Sequence, residues 1–148
     1  MPTVTLPAES AGSSSVANQT EIDFFGVDIR FTDDVQVDAS GDYATVEGLE
    51  ALRQAIRARL LTTPGEYAIH PEFGCGLRQF CKKRATQSDR DTLRQLIIDQ
   101  LTQEERIQNV EEVTVTSFTS GTINGVKIFL RIIALGRENS FAIQTFAE

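Results

Sequence analysis

Glu66, Glu72, Glu104 and Glu105 are the residues from which a hydrolytic site would be built, because a glycosidase needs two carboxylates flanking the scissile sugar bond. Spacing along the chain does not give their separation, and any acidic domain has such pairs. His70 is the only histidine, and no cysteine stands beside it as a nucleophile, so a Ser-His-Asp or Cys-His arrangement has little support. His70, Cys75 and Cys81 offer three metal donors at a spacing that matches no zinc pattern, whereas a structural zinc site takes four. The two cysteines read better as small packing residues with free thiols. No catalytic, cofactor or metal residue is assigned, and no enzyme activity is expected.

Arg106 gives a stronger signal. It follows Glu104-Glu105 and is expected to close a helix, where a cation complements the negative end of the dipole. Its guanidinium fork can hold a carboxylate in two parallel bonds, with Glu66 and Glu104 as candidates. Glu66 ends the segment Leu60-Leu61-Thr62-Thr63-Pro64-Gly65-Glu66, itself a helix exit. A pin between the two exits reads as a structural joint. Lys82-Lys83-Arg84, with Arg78 and Arg90 nearby, forms a basic patch in an acidic chain. It is either a solvated loop or a docking site for an acidic partner.

The elements that must position these residues belong to a chain of 148 residues, long enough for one domain with a real core. A net charge of −7 argues against general nucleic-acid binding, which needs Lys and Arg in excess. No secretory signal and no membrane-spanning run is seen, so a protein made in the cytoplasm is expected. Residues 1–22 read as a flexible, Ser-rich arm, and 23–148 as a single domain.

Phe25, Val27, Ile29 and Phe31 alternate with Gly26, Asp28 and Arg30 and predict a strand with one apolar face. Val46, Leu49, Leu52, Ile56 and Leu60 predict an amphipathic helix capped by Thr45, whose polar face carries Arg53, Arg57 and Arg59. Pro64-Gly65 suits a type II turn, and Tyr67–Ile69 a short strand. A second helix is expected from Ser88, with Asp91 completing a capping box and Leu93, Leu96, Ile97, Gln100 and Leu101 on its inner face. Three strands follow, near 113–118, 126–135 and 141–146, with Asn124-Gly125 as a type I′ hairpin signal. The expected fold is α+β, two amphipathic helices on a mostly antiparallel sheet with a C-terminal meander.

Four motifs then carry a resemblance. Phe25-Gly26-Val27-Asp28-Ile29-Arg30-Phe31, Leu61-Thr62-Thr63-Pro64-Gly65-Glu66, Pro71-Glu72-Phe73-Gly74 with Gly76-Leu77, and Glu104-Glu105-Arg106-Ile107 resemble, in the same order, the small baseplate wedge protein family of contractile-tailed phages. That family also occurs in type VI secretion and in phage-tail-like injection particles. The resemblance spans about residues 24–116. It implies a structural baseplate component that bridges the core bundle of the larger wedge subunits and the first ring of the tail sheath protein, templating sheath assembly. Tube or hub proteins are further candidate partners in a sixfold assembly. The family's Glu-Pro-Arg motif falls on Glu104 and Arg106, with Glu105 where proline is usual, which removes a rigid helix stop. Glu104, Arg106, Ile107 and Glu66 are the implied contact residues at the joint. Phe141, Ile143 and Thr145 are those of a last strand able to pair with a sheath strand. An older lysozyme-like label leaves peptidoglycan hydrolysis through Glu66 or Glu72 as an alternative, and a small adaptor outside any tail as a third.

Overall fold

The structure, a computed structural model, describes residues 24–32 and 34–148, so the arm expected over 1–22 lies outside the described residues. Along the described chain come β1 (Val27–Ile29), β2 (Thr45–Glu47), α1 (Gly48–Leu61), a 3-10 helix (Leu77–Cys81), α2 (Gln87–Thr102), β3 (Ile107–Ser120), β4 (Ile123–Ala134) and β5 (Ser140–Ala147). Both sheets are antiparallel, β1-β2 and β3-β4-β5, which makes this the expected α+β fold with a C-terminal meander. Contacts divide the chain into two units, one ending at Leu52 and one spanning Arg53–Glu148, so the division falls inside α1. No described helix is long and apolar enough to cross a membrane.

In the first unit, β1 and β2 form a short ribbon with Val27 opposite Glu47. The alternating stretch 25–31 is a strand over three residues only. Val27, Ile29 and Phe31 are exposed, and Phe25 alone is buried, in a helical turn before the strand. A two-stranded ribbon of three-residue strands is too small to bury a face of its own. A turn covers 39–42, closed by the Gly41 N–H on the Asp38 carbonyl at 3.1 Å. Asp38 accepts from the Ser40 hydroxyl at 2.6 Å and backbone N–H at 2.8 Å and from the Asp42 N–H at 3.2 Å, and these bonds hold its carboxyl below the ordinary value.

Helix α1 starts at Gly48, not after Thr45, because 45–47 are taken by β2 and the Gly48 N–H is bound to the Gly26 carbonyl at 3.1 Å. Its inner stripe is as expected, with Leu52, Ile56 and Leu60 buried. The type II turn follows, with Glu66 N–H to Thr63 carbonyl at 2.9 Å and Gly65 at φ +87°. No strand forms at Tyr67–Ile69. Successive turns from Tyr67 to His70 and from His70 to Phe73 take up the backbone groups a ladder would need, and Pro71 has no N–H to give.

Helix α2 begins two residues earlier than expected. Thr86 is its N-cap, and its hydroxyl accepts from the Asp89 N–H at 3.2 Å while Asp89 Oδ2 accepts from the Thr86 N–H at 2.8 Å. The box is of the expected kind, displaced from Ser88/Asp91 because Thr86 has the extended backbone a cap requires. Thr86→Ala should cost about 1 kcal/mol in urea unfolding, through loss of this cap. Leu93, Ile97, Gln100 and Leu101 are buried as expected, with Leu96 half-buried, and α2 packs along β3.

The hairpin joining β3 and β4 corrects the Asn124-Gly125 expectation. Ser120 pairs with Ile123, so the two-residue turn is Gly121-Thr122. Gly121 has φ +61° and Thr122 has no positive φ, the type II′ pattern. Gly125 sits within β4 opposite Phe118, where an added Cβ would come within 2.2 Å of Phe118 Cζ. Its glycine makes room for a ring across the ladder. Strand β4 is central, with Val126, Ile128, Leu130, Ile132 and Ala134 buried on one face. Its other face carries exposed Lys127 and Arg131 between half-buried Phe129 and Ile133.

Candidate interaction site

Arg106 does not close α2. The helix ends at Thr102, and Arg106 lies in the turn before β3, beyond the reach of the helix dipole. Its partner is Glu104, with Nε donating to Oε1 at 2.7 Å. The other oxygen of Glu104 receives Arg59 Nη2, from the last turn of α1, at 3.4 Å. Glu104 therefore ties the end of α1 to the chain leaving α2, and the expected pin exists through an arginine that the sequence reading placed on an outer polar face. Glu66 takes no part in it. Its carboxylate accepts from the Thr63 N–H at 3.0 Å and stays in its own turn.

The Arg59–Glu104–Arg106 group is largely shielded, with side-chain exposures of 13%, 12% and 27% in that order. Burial pushes the Glu104 carboxyl up, but the hydrogen bond and charge of Arg106, with the charge of Arg59, outweigh it and leave the group below its ordinary 4.5. Arg59 also lies over the Phe73 ring, 4.5 Å from its centroid, and Nη1 reaches Gln100 Oε1 at 3.5 Å.

Gln100 is the residue that sequence reasoning undervalued. Its Oε1 accepts from the Gly74 N–H and its Nε2 donates to the Glu72 carbonyl, both at 3.0 Å. A buried amide in an apolar helix stripe must find such partners, and that requirement is the signal that could have found it. The loop it holds is fastened again by Cys75 N–H to Arg59 carbonyl at 3.0 Å and Gly76 N–H to Thr62 carbonyl at 2.8 Å.

Ile107, the last residue of the joint motif, opens β3 opposite Ala134 and is half-buried. Glu72 is exposed and 3.7 Å from His70 Nδ1. The carboxylates of the hydrolytic alternative are thus surface groups with local partners. Cys75 and Cys81 are both buried and free. Burial pushes the Cys75 thiol up to about 12, the Arg59 charge opposing it only in part. Cys81 Sγ donates to the Ala147 carbonyl at 3.3 Å, fastening the 3-10 helix to the end of β5.

The second expected surface is β5. Phe141, Ile143 and Thr145 share one face of the strand, and that face is turned inward: Ile143 is buried and the other two are half-buried. Arg53 lies 5.3 Å from the centroid of the Phe141 ring. Ala142, Gln144 and Phe146 face out, Phe146 being 66% exposed. The outer edges of the meander differ. On the β3 side, Arg94 Nε of α2 takes the Val113 carbonyl at 3.0 Å. Beyond β5 no described strand is paired.

The family described as contractile injection system sheath initiator matches residues 20–127. Among solved structures, a chain of the cryo-EM structure of the anti-feeding prophage (AFP) baseplate, 6-fold symmetrised, has a similar fold, with TM-score 0.54, 14% identity and 88% of each chain covered. No curated protein matches.

Proposed function

This chain belongs to the contractile injection system sheath initiator family, and on that premise we propose that it is a structural, non-enzymatic baseplate component linking the larger baseplate subunits to the first sheath ring. The membership agrees with the baseplate resemblance carried by the four sequence motifs. The observation that supports the sheath side of the link is the asymmetry of the meander. On the β3 edge a side chain of α2 occupies the Val113 carbonyl, and the other edge is β5, whose outer backbone groups pair with no described strand. An open antiparallel edge accepts an added strand through main-chain hydrogen bonds. Phe141, Ile143 and Thr145 would then act through their backbone, since their side chains serve the chain's own core. The joint of Glu104, Arg106 and Ile107, at the entry to β3, is the surface proposed for the larger wedge subunits. Six copies around the baseplate axis would suit the symmetry of the AFP relative.

A co-expression pull-down with the neighbouring wedge subunit, comparing wild type with Arg106→Ala, tests the joint. Glu104 keeps Arg59 in this variant, so circular dichroism should show it folded while capture is lost. Unchanged capture would remove Arg106 from the contact. Hydrogen exchange on β5 tests the edge. Its amides should gain protection when sheath protein assembles, and equal protection in the free and assembled states would overturn strand addition.

A further inference from the structure

The acidic balance of the chain is unevenly placed. Residues 1–52 hold ten Asp and Glu and one basic residue, Arg30, for a net −9. Residues 53–148 hold eleven acids and thirteen Lys and Arg, for +2, which together recover the total of −7. The first unit also displays apolar side chains, with Val27, Ile29, Phe31, Val35, Val37 and Tyr43 each at least 42% exposed. Among them stand the exposed carboxylates of Asp34, Asp42 and Glu47.

Elsewhere in the second unit, five arginines are engaged: Arg59 and Arg106 with Glu104, Arg131 with Glu112, and Arg90 and Arg94 with β3 acceptors. The basic loop differs. Arg78, Lys82, Lys83 and Arg84 are all exposed, and among the described residues none is held in an ion pair or a side-chain hydrogen bond. Beside them a cleft of about 220 Å³ is lined by Gln79, Phe80, Lys83 and Asp89. Asp89, the acid in that lining, is committed to capping Thr86. The loop thus offers exposed cations next to a half-buried aromatic ring, Lys83 lying within the field of Asp89, and the first unit offers carboxylates interspersed with apolar side chains.

We infer that the basic loop 78–84 of one copy receives the acidic, apolar-studded first unit of a second copy of this chain. Charge complementarity selects this occupant, because the surface that matches the loop in both charge and apolar content is carried by the chain itself. The contact joins two different surfaces that every copy carries, so copies pair either reciprocally, as a two-fold dimer, or head-to-tail, as a ring or filament. The inference goes beyond the baseplate role and stands or falls separately from it.

Sedimentation of the full chain tests it. At about 0.01 M salt, where charges act over about 30 Å, mass should rise with protein concentration above the 16.3 kDa monomer. At about 1 M salt, with screening inside about 3 Å, the chain should be monomeric. The triple variant Lys82→Glu, Lys83→Glu, Arg84→Glu should stay monomeric in low salt, as should Asp34→Lys with Asp42→Lys and Glu47→Lys. Mixing the two charge-reversed proteins should restore association, which also shows that both are folded. A wild type that is monomeric throughout, or association that survives high salt or loop reversal, would overturn the inference.

Discussion

Gly74→Ala should destabilise the protein by about 4 kcal/mol, enough to leave a domain of ordinary stability close to unfolding. Gly74 has φ +107°, in a region that side chains rarely enter, and a Cβ there would lie 2.2 Å from the Thr62 carbonyl oxygen. That carbonyl is not free to retreat, because it accepts the Gly76 N–H at 2.8 Å. Gly74 is fixed from the other side as well, by its own N–H on the buried amide of Gln100. The methyl group must therefore break either the 72–76 loop or the end of α1. Gly65→Ala is the control. Its φ of +87° is also unfavourable, but nothing lies within 4 Å of the added Cβ, so about 1 kcal/mol is expected from backbone strain alone. Urea unfolding of both variants measures the difference. Equal losses would mean that the Thr62 contact relaxes at little cost.

Glu104→Gln should cost about 3 kcal/mol near neutral pH, at the lower end for removing one partner of a shielded ion pair. The amide can still accept a hydrogen bond, but Arg59 and Arg106 would then face each other across a neutral group at 13% and 27% exposure. Arg106→Ala should cost less, about 1 kcal/mol, since Arg59 remains to pair with the carboxylate. The effect of Glu104 carries a pH signature. Its carboxyl titrates below 4.5 in the folded chain, so its stabilisation is complete above that value and is lost as pH falls through the lowered one. The gap between wild type and Glu104→Gln should be constant from about pH 7 to about 5 and close as pH falls below 4.5 through the lowered value. A gap that persists unchanged in acid would mean that packing, and not charge, holds the joint.

The elements that periodicity governs were legible in the residues. The inner faces of α1 and α2, the Pro64-Gly65 turn and the three C-terminal strands all follow from local spacing of apolar and turn residues, because helices and strands repeat at 3.6 and 2 residues. The four short motifs were enough to point to the baseplate family, because they are ordered along the chain. Glu104 was one of two carboxylates named for Arg106, being a near neighbour of opposite charge, and the structure selects it over Glu66.

What the residues left open was decided by contacts between distant segments. Thr45 is a favourable cap by type, yet strand pairing with Ile29 takes it for β2. Asn124-Gly125 is a favourable turn by type, yet the ring of Phe118 across the ladder needs the glycine inside β4. Arg59 looked like a solvent-facing cation on α1, and only packing brings it to Glu104, to Gln100 and over Phe73. The physical reason is the same in each case. Local spacing sets which conformations a segment favours by a kilocalorie or so per position, whereas a buried polar or charged group left without a partner costs several, so the partner decides. The sequence alone determined the class of fold, the family motifs and the charge imbalance. The tertiary structure decided which carboxylate forms the joint and which arginines it holds.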